Sequence, residues 1–183
     1  MVKEKPYLIG EKTYLRLLDE TDADLVTTFR NNPDVWNNLA HTFPVSFEDE
    51  LAWVNKRPKP SSNSFIFAVV LKEANDLIGS MGLHDIDWMS RTAVTGTLIG
   101  RTDLHSQGYA TDAKKTLLNW AFNVLNLRIV YSRVFSFNKA SLRYAEKCGY
   151  KEIARFPEST FRNGKYHDLV TLQITQTEWF SRK

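Results

Sequence analysis

Apolar and polar residues alternate along several short stretches of the chain, a pattern typical of half-buried β-strands. The clearest alternation runs from Ile129 to Phe137. An Asn75-Asp76 turn between two apolar runs predicts one hairpin, and Asn163-Gly164 predicts a second near the carboxyl end. The predicted strands are Thr13 to Leu18, Phe65 to Leu71, Leu77 to Leu83, Thr92 to Gly100, Ile129 to Phe137, Glu152 to Phe161 and His167 to Thr175.

Four other segments carry the signals of helices. Apolar residues repeat along one stripe of the third segment, and the fourth begins at a natural N-cap and ends at a natural C′ glycine. The predicted helices are Asp22 to Asn31, a segment opened by a capping box at Ser46 and ended by Pro58 and Pro60, Tyr109 to Val124, and Asn138 to Gly149. Strands and helices in this order predict an α/β sandwich in one domain, residues 1–183.

The turn His105-Ser106-Gln107-Gly108-Tyr109-Ala110 joins an apolar strand directly to the third helix. The first N–H groups of a helix have no partner within the helix, and the peptide dipole adds partial positive charge there. Gly108 lets the backbone approach a bulky anion or take a positive φ. The turn therefore predicts a phosphate site, although plain helix capping would give a similar pattern.

Two segments contain the spaced motifs His105-x-x-Gly108-x-Ala110, Asn138-x-x-Ser141 and Lys147-x-Gly149-Tyr150. Together they resemble the acyl-CoA-binding half of the GCN5-related N-acetyltransferase (GNAT) superfamily, whose pattern is Arg/Gln-x-x-Gly-x-Gly/Ala, then Asn-x-x-Ala/Ser and Lys-x-Gly-Phe/Tyr. The amino-terminal segments 14–18, 22–24 and 30–33 resemble the RimJ/RimL-like branch, which acetylates the N-termini of ribosomal proteins.

The resemblance implies an α/β (α+β) GNAT fold, a mixed, mostly antiparallel V-shaped sheet flanked by helices. The sheet would be splayed between the strands Thr92 to Gly100 and Ile129 to Phe137. Acetyl-CoA, the cosubstrate, would bind in that splay, with its pantetheine along the first of these strands. The implied cofactor-binding residues are Leu98, Ile99, Gly100, His105, Ser106, Gln107, Gly108, Tyr109, Ala110, Thr111, Asn138 and Ser141.

The residue that would donate a proton to the departing thiolate does not follow directly from the motif. Much of the superfamily uses a tyrosine seven residues after the motif asparagine, but Ala145 occupies that position. In the RimJ/RimL-like branch a serine three residues after the asparagine lies near the sulfur, and Ser141 matches it. Ser141 is the candidate donor, while a hydroxyl in a first helical turn can also serve only as a local cap.

The general base is also a matter of candidates. Carboxylates used by relatives align with Thr95 and Thr160, so neither is present. Glu158 lies two residues before Thr160, and because strand side chains repeat every second residue it would face the same cleft. The other candidates are a water relay and the side chains that end the third strand, His84, Asp85 and Asp87.

Composition narrows the function classes. The net charge is +3 with scattered Lys and Arg, which argues against a dedicated nucleic-acid binder. The four histidines have no partner at zinc-ligand spacing, so we expect no metal site. The single cysteine, Cys148, cannot form an internal disulfide and is expected to be buried. No apolar run reaches the roughly 20 residues of a membrane span, and the first residues lack a signal-peptide core.

These observations predict a cytoplasmic, acetyl-CoA-dependent N-acetyltransferase in which a primary amine attacks the thioester directly. The acceptor would be a protein N-terminus or a small amine, and the resemblance adds a ribosomal protein N-terminus as one such partner. A homodimer is a further expectation. The alternative is a non-catalytic acyl-CoA-binding or regulatory module, which the missing tyrosine and carboxylates would suit.

Overall fold

One eight-stranded sheet organises the computed structural model, which describes residues 5–55 and 63–182. The strands are β1 (Leu8–Ile9), β2 (Thr13–Leu17), β3 (Phe65–Leu71), β4 (Leu77–Asp87), β5 (Thr92–Ile99), β6 (Ile129–Phe135), β7 (Lys151–Arg162) and β8 (Lys165–Thr175). They lie in the order β1-β2-β3-β4-β5-β6-β8-β7. Every neighbouring pair is antiparallel except β5 and β6, which are parallel.

Helices lie between and after the strands. They are α1 (Ala23–Asn31), α2 (Pro33–Trp36), α3 (Phe47–Asn55), α4 (Tyr109–Asn123), α5 (Lys139–Cys148) and α6 (Gln176–Phe180). Within the described ranges, none of the helices has both the length and the apolar content that spanning a bilayer requires.

The parallel contact between β5 and β6 is short. It pairs Thr92–Val94 with Ile129–Tyr131, and beyond Val94 the two strands separate. From there β6 continues only against β8, so the sheet opens into a V. The predicted mixed, mostly antiparallel and V-shaped sheet is confirmed.

Side chains on both faces of the sheet are buried. Phe67 and Val69 of β3 belong to the core under α4, whereas Ala68 and Val70 belong to the core under α1 and α3. Because successive strand residues point to opposite faces, a strand covered on both sides must be apolar throughout. This burial explains why β3 is a continuous apolar run.

The sequence located the main elements to within a few residues, with three short additions. The strand β1 and the helices α2 and α6 were not predicted. The helix α2 carries recognisable signals, since Asn32 caps it and Pro33 is its first residue. Pro58 and Pro60, which were predicted to end α3, lie outside the described residues.

A buried ion pair joins β2 to the start of α1. The Arg16 guanidinium donates to both carboxylate oxygens of Asp22, at 2.6 and 2.7 Å, and both side chains are almost completely buried. The hydrogen bond to Asp22 raises the pKa of Arg16 above its ordinary value. Asp22 also accepts the backbone N–H of Asp19 at 2.9 Å, so the pair fixes the turn that leads into the helix.

Replacing Asp22 by Asn should lower the free energy of unfolding by about 3 kcal/mol, because the buried Arg16 charge loses its close counter-ion and keeps only Asp19, at 3.8 Å. Urea unfolding measures this loss. The matched control is Asp24→Asn on the exposed side of α1, which should change stability by less than about 0.5 kcal/mol. Equal stability of both variants would contradict a structural role for the pair.

Candidate active site

A cavity of about 320 Å³ lies where β5 and β6 separate. Its walls come from α2 and the residues after it, the end of β5, the turn before α4, the first turn of α4 and one side of α5. Beyond Val94, β5 has no strand neighbour on the β6 side among the described residues. Its backbone edge is therefore available to an extended ligand that pairs as a strand would.

The turn before α4 has an unusual backbone. Ser106 and Gly108 both have positive φ, at 64° and 90°. The N–H groups from Gln107 to Thr111 have no acceptor in the part of the chain that the structure describes. Consecutive unpaired N–H groups at the start of a 15-residue helix are an anion-binding arrangement.

The hairpin between β1 and β2 supports this turn from the side. The Asp112 carboxylate accepts the backbone N–H groups of Glu11, Lys12 and Thr13 and the Thr13 hydroxyl, at 2.6–3.1 Å. Burial opposes ionisation of Asp112, but these hydrogen bonds outweigh it and lower its pKa. The arrangement brings Lys12 Nζ to 3.1 Å from the Gln107 carbonyl oxygen, beside the anion-binding turn.

Most residues predicted to bind the cofactor meet at this cavity. Its lining includes Leu98, Ile99, His105, Ser106, Gly108, Tyr109, Ala110, Thr111, Asn138 and Ser141. Gly100 and Gln107 do not line it. A Cβ at Gly100 would lie 1.9 Å from the Phe29 ring, so this glycine packs against α1, and the Gln107 side chain donates instead to the Asp103 carbonyl at 2.9 Å.

Ser141 lies in the first turn of α5 with its hydroxyl available. The cap of this helix is Asn138, whose Oδ1 accepts the Ser141 backbone N–H at 3.0 Å. The Ser141 hydroxyl makes no hydrogen bond to any residue in the described ranges. A capping role therefore does not engage the hydroxyl, which lines the cavity.

A tyrosine also reaches the cavity, one position before the expected one. Ala145 is buried, whereas Tyr144 lines the cavity and its hydroxyl lies 2.8 Å from Thr97 Oγ1. Burial is the main reason that the pKa of Tyr144 is raised, so the phenol stays protonated near neutral pH. Strict motif spacing missed this residue.

A second cavity, of about 260 Å³, meets the first one at β5. Leu39, Thr97 and Leu98 line both. The second cavity is otherwise enclosed by α1, α3, β3 and β4. The two cavities therefore lie on either side of the same segment of β5.

His84 of β4 lines the second cavity. Its Nδ1 lies 3.2 Å from Ser64 Oγ, and a Cβ at Gly96 would come within 2.9 Å of its Nε2, so the imidazole occupies the space left by this glycine. Burial lowers the pKa of His84 below its ordinary value. A neutral imidazole at pH 7 has a lone pair that can accept a proton.

A buried ion pair also lines the second cavity. Arg30 Nη1 donates to Glu50 Oε2 at 2.8 Å, and the Glu50 side chain is fully buried. The other carboxylate oxygen, Glu50 Oε1, has no hydrogen-bond partner in the described part of the chain. Burial raises the pKa of Glu50, and the neighbouring Arg30 counteracts it in part.

Glu158 lies outside the lining of both cavities. It is exposed, has a φ of 48° and donates its backbone N–H to Asp168 Oδ1. The pairing of β7 with β8 shifts register between Phe156 and Thr160. The period-two argument assumed a regular strand, and this irregularity breaks the alternation at the residue to which the argument was applied.

Three comparisons place the chain among known proteins. A family model described as "Acetyltransferase (GNAT) domain" matches residues 12–151. The chain is 26% identical to the spermidine N(1)-acetyltransferase of Vibrio cholerae, over 92% of this chain and 95% of that protein. It is 30% identical to the putative ribosomal N-acetyltransferase YdaF of Bacillus subtilis, over 96% and 97%.

Solved structures show the same fold. The spermidine N-acetyltransferase of Vibrio cholerae in complex with CoA and spermine has a TM-score of 0.82, with 25% identity, and the match covers 92% of this chain and 98% of that one. Relatives named for spermidine and for the ribosome both appear, so the RimJ/RimL-like branch stays a prediction. These matches show an enzyme rather than the alternative, a non-catalytic acyl-CoA-binding module. The chain belongs to the GNAT family and is an acetyl-CoA-dependent N-acetyltransferase.

Proposed function

We propose that the two cavities meeting at β5 are the cofactor and acceptor halves of one active site, and that acetyl transfer occurs where they join. The observation that carries this proposal is their shared lining at Thr97 and Leu98, with unpaired amides on one side and a neutral imidazole on the other. The acceptor is a primary amine, of a protein N-terminus or a small molecule.

The cofactor half suits a dianionic diphosphate and an extended pantetheine. The amides from Gln107 to Thr111 would bind the diphosphate, and Lys12, Arg143 and Lys147 add positive charge around it. The free edge of β5 at Leu98 and Ile99 would pair with the pantetheine amides. When bound, acetyl-CoA supplies an acetyl thioester, which is activated toward amines.

His84 would act as the base and Ser141 as the acid. A bond forms between the amine nitrogen and the acetyl carbon, and the carbon–sulfur bond breaks. His84 accepts the proton that the nitrogen loses, directly or through water, and the Ser141 hydroxyl donates one to the departing sulfur. The Tyr144 hydroxyl, held on Thr97, is the second candidate donor.

Two kinds of relative support a primary amine as the acceptor. The relatives include spermidine acetyltransferases, which act on a small amine, and a putative ribosomal acetyltransferase. A ribosomal protein N-terminus as acceptor, a homodimer and a cytoplasmic location stay predictions from the sequence.

If the diphosphate binds at this turn, Gly108→Asn and Gly108→Asp should differ in their acetyl-CoA affinity, although the two new side chains have nearly the same shape. Asn tolerates positive φ, so Gly108→Asn should bind acetyl-CoA nearly as the parent does, whereas Gly108→Asp should bind at least about tenfold more weakly because its carboxylate repels the phosphates. Calorimetry with acetyl-CoA measures both. Equal affinities of the Asp and Asn variants would remove the diphosphate from this turn.

The acid assignment predicts a change in kcat. Ser141→Ala should lower kcat by about 100-fold with little change in acetyl-CoA affinity, because the hydroxyl does not hold the helix cap. Steady-state kinetics with a turned-over amine measure this loss. Tyr144→Phe is the comparison, and a larger loss in that variant than in Ser141→Ala would assign the proton donation to Tyr144.

The base assignment predicts the pH profile. Because burial lowers the pKa of His84, kcat/KM should fall only as the pH drops below about 6.5, where the imidazole gains its proton. His84→Gln should lower kcat/KM by about 100-fold and lose this acidic limb. His41→Gln, an exposed histidine outside both cavities, should keep the parent profile, and an unchanged limb in His84→Gln would refute the assignment.

A further inference from the structure

The second cavity, proposed above as the acceptor half and called the acceptor cavity from here on, is lined by one cation and one carboxylate, which pair with each other. Among the described residues that line it, Arg30 and Glu50 are the acidic and basic ones, and their side chains meet at 2.8 Å. His84, the remaining titratable group, favours its neutral form. The cavity therefore has no net charge to offer a cationic ligand.

The adjoining cofactor cavity adds positive charge. Its lining contains Arg143 and Lys147 against a single carboxylate, Asp34. Taken together, the two cavities are lined by more cations than carboxylates. A polycationic acceptor would lose its hydration here without gaining a counter-ion, which is unfavourable at short range in a partly buried site.

The free oxygen of Glu50 indicates what the cavity does accept. Glu50 Oε1 is buried without a partner, although its twin Oε2 is held by Arg30. Buried acceptors are nearly always satisfied, and Glu50 belongs to the lining of this cavity, so its second oxygen is available to a donor from a ligand. An uncharged N–H or O–H group fits, since Arg30 already supplies the balancing charge.

We infer that the acceptor is a primary amine whose reacting nitrogen is its only positive charge, and that an uncharged hydrogen-bond donor on it meets Glu50 Oε1. This inference rests on the proposed function and deepens it. A peptide N-terminus with its amide N–H groups has this chemistry, and so does a small amino alcohol. A polyamine does not, in contrast to the substrate that names several relatives.

Two acceptors of equal length test the inference. 4-Aminobutan-1-ol and 1,4-diaminobutane differ in that a hydroxyl replaces the second ammonium group. We expect kcat/KM for the amino alcohol to exceed that for the diamine at least about tenfold at low ionic strength. A short peptide with uncharged side chains forms the second arm, and its ratio to the amino alcohol separates the protein source from the small-molecule source.

Variants of the Arg30–Glu50 ion pair test whether this pair causes the preference for the amino alcohol over the diamine. Glu50→Gln leaves Arg30 unbalanced, so the ratio of amino alcohol to diamine should rise by about a further threefold or more. The double variant Arg30→Gln with Glu50→Gln is neutral again and should return the ratio to that of the parent. Glu48→Gln, an exposed change on the same helix, should leave the ratio unchanged. If Glu50→Gln does not fold, Arg30→Gln alone carries the comparison, because Arg30 is partly exposed and its loss leaves the Glu50 carboxylate unbalanced, which should lower the ratio below that of the parent.

The outcomes separate this inference from the proposed function. Equal or better turnover of the diamine overturns the inference and leaves the acetyltransferase site intact. Failure of acetyl-CoA to bind would overturn the site assignment itself. If turnover is slow, calorimetry of each amine with the CoA complex measures the two affinities, and their ratio takes the place of the ratio of kcat/KM values. If neither amine binds, this cavity is not the acceptor site.

Discussion

The separation of β5 from β6 beyond Val94 is the constraint on which the site depends. A sheet that stayed paired would satisfy the backbone of β5 and leave no space for a ligand. Because the strands diverge, the end of β5 keeps a free edge, and the chain can turn directly into α4 with its first N–H groups facing the gap. The cofactor cavity follows from this single break in the sheet.

The break needs support from parts of the chain that are distant in sequence. Asp112, in the first turn of α4, binds three consecutive backbone N–H groups of the β1–β2 hairpin, about 100 residues earlier. This contact holds the start of α4 against the hairpin and brings Lys12 Nζ to 3.1 Å from the Gln107 carbonyl oxygen. The amino-terminal hairpin therefore supports the proposed cofactor site.

Local chemistry made much of the fold predictable, together with the two segments that line the first cavity. Alternation, caps and turn glycines mark element boundaries, and the turn at Gly108 and the cap at Asn138 are complete within a few residues. Contacts between distant residues were not predictable: Lys12 at the turn, Arg30 with Glu50, and His84 over Gly96 depend on tertiary placement. Glu158 lies outside both cavities for a local reason, a register shift that period-two reasoning does not detect.

The two cavities share a strand but differ in charge, and this difference suits the proposed roles of the two cavities as cofactor and acceptor halves. In the proposed cofactor half, Lys12, Arg143 and Lys147 would supply cations for the phosphates beside the unpaired amides of the turn. The reacting amine must lose its proton, so a carboxylate-rich pocket would stabilise the wrong ionisation state. A neutral imidazole and a self-balanced ion pair in the proposed acceptor half would avoid that penalty and would leave the nitrogen in its nucleophilic form.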